Sequence, residues 1–145
     1  MNAMLAIHQG PSRPAVVELL ESAALPTSDL VDAHMSDFFY AGPPSAPVGI
    51  VGVQFYGADA LLRSLVVLSA HRAQGLGRRL VEYVEQFARE RGATTVYLLT
   101  TTAESFFHSC GYLATPRESA PSAIRSTPEF ADLCPASSAF LSKRL

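Results

Sequence analysis

The chain has 145 residues, with 11 basic and 13 acidic side chains, a formal net charge of -2 and 48% hydrophobic residues. That length suits one compact domain with a real core, residues 1–145, and the composition excludes a disordered tail or a coiled coil. The slight negative charge excludes a global attraction to nucleic acid or to an anionic membrane, so any anion site must be local.

Residues 1–10 lack the basic start and long apolar stretch of a secretory signal, and no run reaches membrane-spanning length. The chain therefore reads as cytoplasmic. Met4 to Ile7 is a short apolar stretch suited to an edge strand. Gly10, Pro11 and Pro14 then prepare a helix start, with Ser12 as candidate cap. Val16, Leu19, Leu20 and Ala23 recur at helical spacing up to about Ala24, and Pro26 stops the run. A second short helix is expected over Asp29 to Met35. Phe38 to Tyr40 reads as a strand, cut off by the breaker-rich stretch from Gly42 to Pro47.

Val48 to Tyr56 is a long strand by its β-branched and aromatic content, in which Gly49 and Gly52 permit a bulge or a close approach. Gly57, Ala58 and Asp59 turn the chain into Ala60 to Leu68. Apolar on both faces apart from Arg63 and Ser64, this strand should be central and covered on both sides. Leu76, Leu80, Val84 and Phe87 define the inner face of a helix ending near Gly92. Thr94 to Leu99 is a further buried strand, Ala103 to Cys110 a short helix, and Gly111 to Ala114 a strand. Four of the ten prolines fall between Pro116 and Pro135, marking an irregular, partly helical excursion before a last strand near Ala139 to Leu141. The order implies a mixed α/β domain with an antiparallel first half and a parallel crossover at its centre.

The chemistry-bearing stretch is Arg72-Ala73-Gln74-Gly75-Leu76-Gly77-Arg78-Arg79, placed between the central strand and an amphipathic helix. The first amides of a helix have no intrahelical partner and point outward with the positive end of the dipole, so an anion there gains several hydrogen bonds at once. Gly75 and Gly77 remove side chains that would hold a phosphate away, while Arg72, Arg78 and Arg79 add cationic donors. A Rossmann fingerprint would need a third small residue where Leu80 stands, and a Walker loop would need Gly-Lys followed by Ser or Thr; neither is present. The stretch reads as a pyrophosphate cradle.

These residues resemble the acetyl-coenzyme A signature of GNAT N-acetyltransferases, Gln/Arg-x-x-Gly-x-Gly/Ala, with Arg72, Gly75 and Gly77 in the matching places. Leu65 to Leu68 resembles the preceding strand of that family, and Ala103 to Tyr112 its later helix and strand. The resemblance implies a GNAT-like mixed sheet of about six to seven strands flanked by about four helices. It also implies acetyl-coenzyme A as co-substrate. The amides from Arg72 through Ala73, Gln74, Gly75, Leu76 and Gly77 to Arg78 would hold the pyrophosphate. The backbone of Val67 would pair with the pantetheine arm, and Leu65 N–H would face the thioester carbonyl. Thr100, Phe106 and Phe107 complete the coenzyme-facing set. Leu98 to Ala103, Ala120 to Arg125 and Leu133 to Ser137 further resemble the arsenic-resistance N-acetyltransferase subfamily, as do Leu25-Pro26-Thr27 and Asp29-Leu30. That implies a small-molecule amine as acceptor, either an organoarsenical or an amino-acid-like toxin.

Acyl transfer to an amine needs a neutral amine, a hydrogen bond to the developing oxyanion and a route for protonating the leaving thiolate. Leu61 stands where some family members carry a glutamate, and Phe107 where the family's Ala-x-x-Phe-Tyr pattern has its tyrosine. The usual base and acid are therefore missing. His108 reads as a surface or capping histidine, with a catalytic role as the sharper alternative, and Thr100, Thr101, Thr102 and Ser105 stay open as hydrogen-bond donors. Direct transfer in a ternary complex is the expected course, with positioning supplying most of the acceleration.

Arg63 and Ser64 interrupt an apolar strand, which is costly unless each is paired or reaches a cavity. Arg63 is thus either a contact for an acceptor carboxylate or one half of a structural ion pair, and Ser64 is a second acceptor-side candidate. Cys110 and Cys134 read as reduced thiols, with metalloid capture as the sharper alternative, and His8, His34 and His71 have no metal-ligand spacing. Loss of the acid and base also leaves open a non-catalytic acyl-coenzyme A binding or sensing module. A protein-modifying enzyme would need a groove open to a peptide, which the Pro116 to Pro135 excursion could cover. The last strand could pair across a homodimer.

Overall fold

A computed structural model describes residues 5–133 and 138–145, with the side chains of Ala73, Gln74, Asp132 and Leu133 outside the described set. Its seven strands form one mixed sheet: β1 (Ile7–Gln9), β2 (Phe38–Ala41), β3 (Gly49–Tyr56), β4 (Asp59–Val67), β5 (Thr95–Thr100), β6 (Leu113–Ala114) and β7 (Ala139–Arg144). The spatial order is β1-β2-β3-β4-β5-β7-β6. β4 is therefore central, as its two apolar faces require. The helices are α1 (Arg13–Ser22), α2 (Leu76–Glu90), α3 (Glu104–Ser109) and α4 (Ser122–Arg125), with 3-10 turns at Asp32–Asp37, Ser69–Gln74 and Arg117–Ser119 and a π turn at Glu129–Leu133.

β1 pairs antiparallel with β2, and β2 with β3, in the register Phe38↔Gly52 to Ala41↔Gly49. β4 and β5, joined by α2, pair in parallel through Asp59↔Thr95, Ala60↔Val96 and Leu61↔Tyr97. This is the central crossover expected from the sequence. β7 then pairs antiparallel with both β5 and β6.

Several boundaries differ from the sequence expectation. The first strand lies at Ile7–Gln9, and Met4 falls outside the described residues. His8 and Gln9 are polar yet join an edge by backbone pairing, which hydropathy does not signal. The short helix expected over Asp29 to Met35 is a 3-10 helix at Asp32–Asp37, and β7 runs on to Arg144. The proline-rich excursion is partly helical, as anticipated, with its turns at Arg117–Ser119, Ser122–Arg125 and Glu129–Leu133.

The chain divides into two compact units. One takes in residues up to Val53 together with Ser64–Val84; the other comprises Gln54–Arg63 and Glu85–Leu145. In the first, α1 begins at Ser12, whose Oγ accepts from Ala15 N at 3.3 Å, and α1 buries Val16, Leu19 and Leu20 with Leu30, Met35, Phe38, Ile50 and Val66. In the second, Leu61, Ala120, Ile124 and Phe140 form a core flanked by Tyr56, Tyr97, Leu99 and Phe130. This cluster packs Ala120, Ile124 and Phe130 of the late excursion onto strand residues. Among the described residues no helix is long and apolar enough to cross a membrane.

Candidate functional site

Within the first unit, the loop Arg72–Arg78 lies where the sequence put it, between the end of β4 and the start of α2. Two features fix its shape. Gly75 sits in the left-handed region at φ 74°, ψ 12°, closing the 3-10 turn and reversing the chain into α2. Its carbonyl accepts from Arg79 N at 3.1 Å, so the helical ladder starts here and the amides of Leu76, Gly77 and Arg78 belong to the first turn. Nothing lies within 4 Å of a Cβ built on Gly75, so the glycine serves the backbone conformation and leaves open space beside the turn.

The second feature is a close approach. A Cβ on Gly49 would lie 3.0 Å from Leu76 Cδ2 and 3.1 Å from Leu80 Cδ1. The bare backbone of β3 thus lets the first turn of α2 seat its buried leucines against the sheet, and that contact positions the helix end. Gly52 serves a similar purpose, for a Cβ there would fall 2.5 Å from the Phe38 ring. Of the two roles open for these glycines, both take the close approach.

A backbone irregularity lies in β4 instead. Ser64 has φ 61°, a left-handed conformation for a non-glycine residue in mid-strand. Such a residue locally breaks the ladder and re-aims the peptide groups beside it, at a cost of roughly 1–3 kcal/mol. Leu65, the expected oxyanion contact, is its immediate neighbour. A lone serine in an apolar run carries no sequence sign of this geometry.

The loop arginines diverge. Arg72 Nε donates to Val67 O at 2.9 Å, so the first cation folds back onto the end of β4 and engages the carbonyl of the residue expected to pair with a pantetheine arm. Arg78 is exposed on the first turn of α2. Arg79, read from sequence as a third cationic donor to the loop, instead gives Nη2 to Leu5 O at 2.7 Å. One turn of helix separates it from Gly75 and carries its guanidinium to the N-terminal segment. The backbone of Ala73 and Gln74 forms part of the 3-10 turn.

In the second unit, Thr100 Oγ1 accepts from Ala103 N at 3.0 Å and so caps the entry to α3. Phe106 and Phe107 lie on α3. Phe107 is only 4% exposed and meets Phe106 and Tyr112 edge-on at 5.1 and 5.7 Å, which makes it a core residue. His108 Nδ1 bonds Tyr112 O at 2.8 Å and its Nε2 lies 3.3 Å from Glu104 Oε2, the capping alternative for this histidine. Tyr112 cannot replace the missing phenol. It is fully buried, its hydroxyl donates to Glu85 Oε2 at 3.0 Å, and burial together with the neighbouring Glu85 carboxylate holds its ionisation far above the usual tyrosine range. Glu85 is in turn bound by Lys143 Nζ at 3.1 and 3.0 Å, and that ammonium also donates to Cys110 O at 2.9 Å.

Arg63 takes the ion-pair alternative, since its Nη1 donates to Glu129 Oε1 with both side chains buried. Glu129 was not legible as a partner, because it lies 66 residues away in a proline-rich stretch with no periodicity. Cys110 is buried, and Cys134 falls outside the described residues. Among the described residues no group of three or more His, Cys, Asp or Glu side chains could hold a metal ion.

Residues 6–112 match the profile of the Acetyltransferase (GNAT) family. The chain is 37% identical over 92 residues to an uncharacterized N-acetyltransferase of Chlorobaculum tepidum, a match spanning 63% of this chain and 59% of that protein. The fold resembles N-acetylglutamate synthase from Neisseria gonorrhoeae, solved with coenzyme A and N-acetyl-glutamate, with a TM-score of 0.83 at 20% identity over 100% of this chain and 36% of that one. An aminoglycoside 6'-N-acetyltransferase complexed with coenzyme A gives a TM-score of 0.71 at 18% identity, covering 96% of each chain. At these identities the structural likenesses speak to the fold.

Proposed function

Because this chain belongs to the acetyltransferase (GNAT) family, we propose that it moves an acetyl group from acetyl-coenzyme A to the amine of a small molecule. The observation that carries the reading is the backbone turn at Gly75, with open space beside it and the first turn of α2 immediately after it. These features fit a pyrophosphate: the amides of Leu76, Gly77 and Arg78 would donate to it, and Arg72 and Arg78 would add charge. Acetyl-coenzyme A supplies the activated thioester. The remaining work belongs to the chain, which we read as one catalytic domain.

Leu65 N–H, beside the left-handed Ser64, is the proposed donor to the oxyanion. Val67 would meet the pantetheine arm by its backbone, and Arg72, now on Val67 O, would then release that carbonyl. Thr100 and Phe106 are proposed to border the arm, and Phe107 to support Phe106 from the core. No acid or base is assigned, because Leu61 and Phe107 are apolar and buried and the Tyr112 phenol is bound to Glu85. The acceptor must therefore arrive as a neutral amine, and alignment carries most of the acceleration.

The finer reading, that the acceptor is an organoarsenical or an amino-acid-like toxin, rests on the subfamily resemblance of the tail segments. It gains modest support from the fold neighbour solved with N-acetyl-glutamate. Coenzyme A thiol release across a panel of amino acids, their arsenic- and phosphorus-containing analogues, polyamines and aminoglycosides tests it. Thiol release with at least one amine class supports transfer. Coenzyme binding without release for any amine would favour a sensing module.

A further inference from the structure

The coenzyme loop makes no use of the buried ion pair between Arg63 on β4 and Glu129, whose side chains are 5% and 7% exposed. Glu129 opens the π turn Glu129–Leu133, a rare backbone geometry that recurs at functional sites. The late excursion has other fastenings. Phe130 meets Phe140 edge-on at 5.4 Å, Phe140 stacks on Tyr97 at 5.5 Å, and the Arg117 guanidinium lies 5.1 Å over the Phe130 ring. Ala120 and Ile124 add their apolar contacts to the same cluster. The excursion is therefore held down without the ion pair.

Nor is such a pair needed for stability, since an apolar pair of equal volume is commonly as stable once desolvation is counted. What the pair does provide is a carboxylate resting on an arginine of the central strand, two residues before Leu65 in the sequence. An arginine fork binds one carboxylate much as it binds another.

Building on the acetyltransferase reading, we propose that Glu129 is an internal stand-in for the carboxylate of an amino-acid acceptor. The acceptor carboxylate takes Arg63, Glu129 is displaced from it, and the amine is thereby held at a fixed reach from Arg63. An amine without a carboxylate leaves the pair closed and gains no anchor. Arg63 is on this account a specificity residue and Glu129 its resident competitor.

The test measures kcat and KM by thiol release for the twenty L-amino acids and for their C-terminal amides, which keep the amine and lose the negative charge. Wild type, Glu129→Gln and the double variant Arg63→Met with Glu129→Gln are compared, so that the lower basicity of the amides cancels between variants. Wild type should prefer acids to amides. Glu129→Gln, a weaker competitor of the same shape, should lower KM for the acids roughly tenfold and leave the amides nearly unchanged. The double variant removes both charges together, so it should keep its melting temperature and its affinity for coenzyme A while losing the preference for acids. Equal shifts for acids and amides in Glu129→Gln, a preserved preference in the double variant, or a wild type that favours amides would overturn the proposal and leave the acetyltransferase reading standing. Absence of release with every amine would sink both.

Discussion

The hydroxyl of Tyr112 donates to Glu85 Oε2 across 3.0 Å, joining the segment between α3 and β6 to the middle of α2 inside a shell where Glu85 is 3% exposed. Burial and the Glu85 charge raise the Tyr112 ionisation well above its ordinary value of 10.0. A folded state that holds its proton more tightly than the unfolded chain contributes its full stability below the unfolded value. It loses that stability as pH climbs above about 10, at about 1.4 kcal/mol per pH unit for one such group. Urea denaturation between pH 8 and 11 should show this fall, and Tyr112→Phe should flatten it. An unchanged slope in Tyr112→Phe would contradict the assignment.

Lys143 is the cation paired with the buried Glu85, with Nζ 3.0 Å from Oε2. Lys143→Met should destabilise by about 3–5 kcal/mol, because it strands a buried carboxylate. Adding Glu85→Gln should recover part of that loss. Chemical denaturation of the single and double variants reads out both effects.

Among the described residues, two non-glycine residues occupy the left-handed region, and they should respond differently to mutation. Ala24 follows α1 at φ 56° in a place that favours glycine, so Ala24→Gly should stabilise by about 0.5–1 kcal/mol and leave catalysis alone. Ser64→Val should lose about 1–3 kcal/mol and cut thiol release, because a β-branched residue resists the left-handed backbone beside Leu65. Ser64→Gly should retain both. Denaturation and thiol-release assays on the three variants separate a helix end from a conformation that serves the reaction.

How far the sequence was legible follows from the range of the signals. The β4–α2–β5 crossover was readable because the apolar pattern of α2 and the loop Arg72–Arg78 are local, and Gly75 lies at the point where backbone geometry demands a glycine. The left-handed Ser64 was not, since a serine tolerates several conformations and the strand around it looks regular. Arg63 announced a partner without naming it; Glu129 is distant in sequence and sits in a turn with no periodicity. Arg79 looked equivalent to Arg72 and Arg78, yet its helical position directs it to Leu5 O.

If the acceptor is deprotonated without a base from the protein, as the proposed function has it, kcat/KM should rise about tenfold per pH unit up to the ionisation midpoint of the acceptor amine itself. Acceptors of different basicity should shift the midpoint of the profile accordingly. A midpoint that stays fixed across acceptors would point to a titrating group on the protein.

Thermal unfolding of the wild type and of Gly75→Val with and without coenzyme A tests the cradle most directly. Valine resists the left-handed turn at φ 74° and fills the open space beside it, so it should remove the ligand response while leaving the folded chain measurable. The wild-type melting temperature should rise by about 5–10 °C at a coenzyme concentration about a hundredfold above Kd. No rise in the wild type, or an equal rise in Gly75→Val, would contradict the assignment of the loop to the coenzyme.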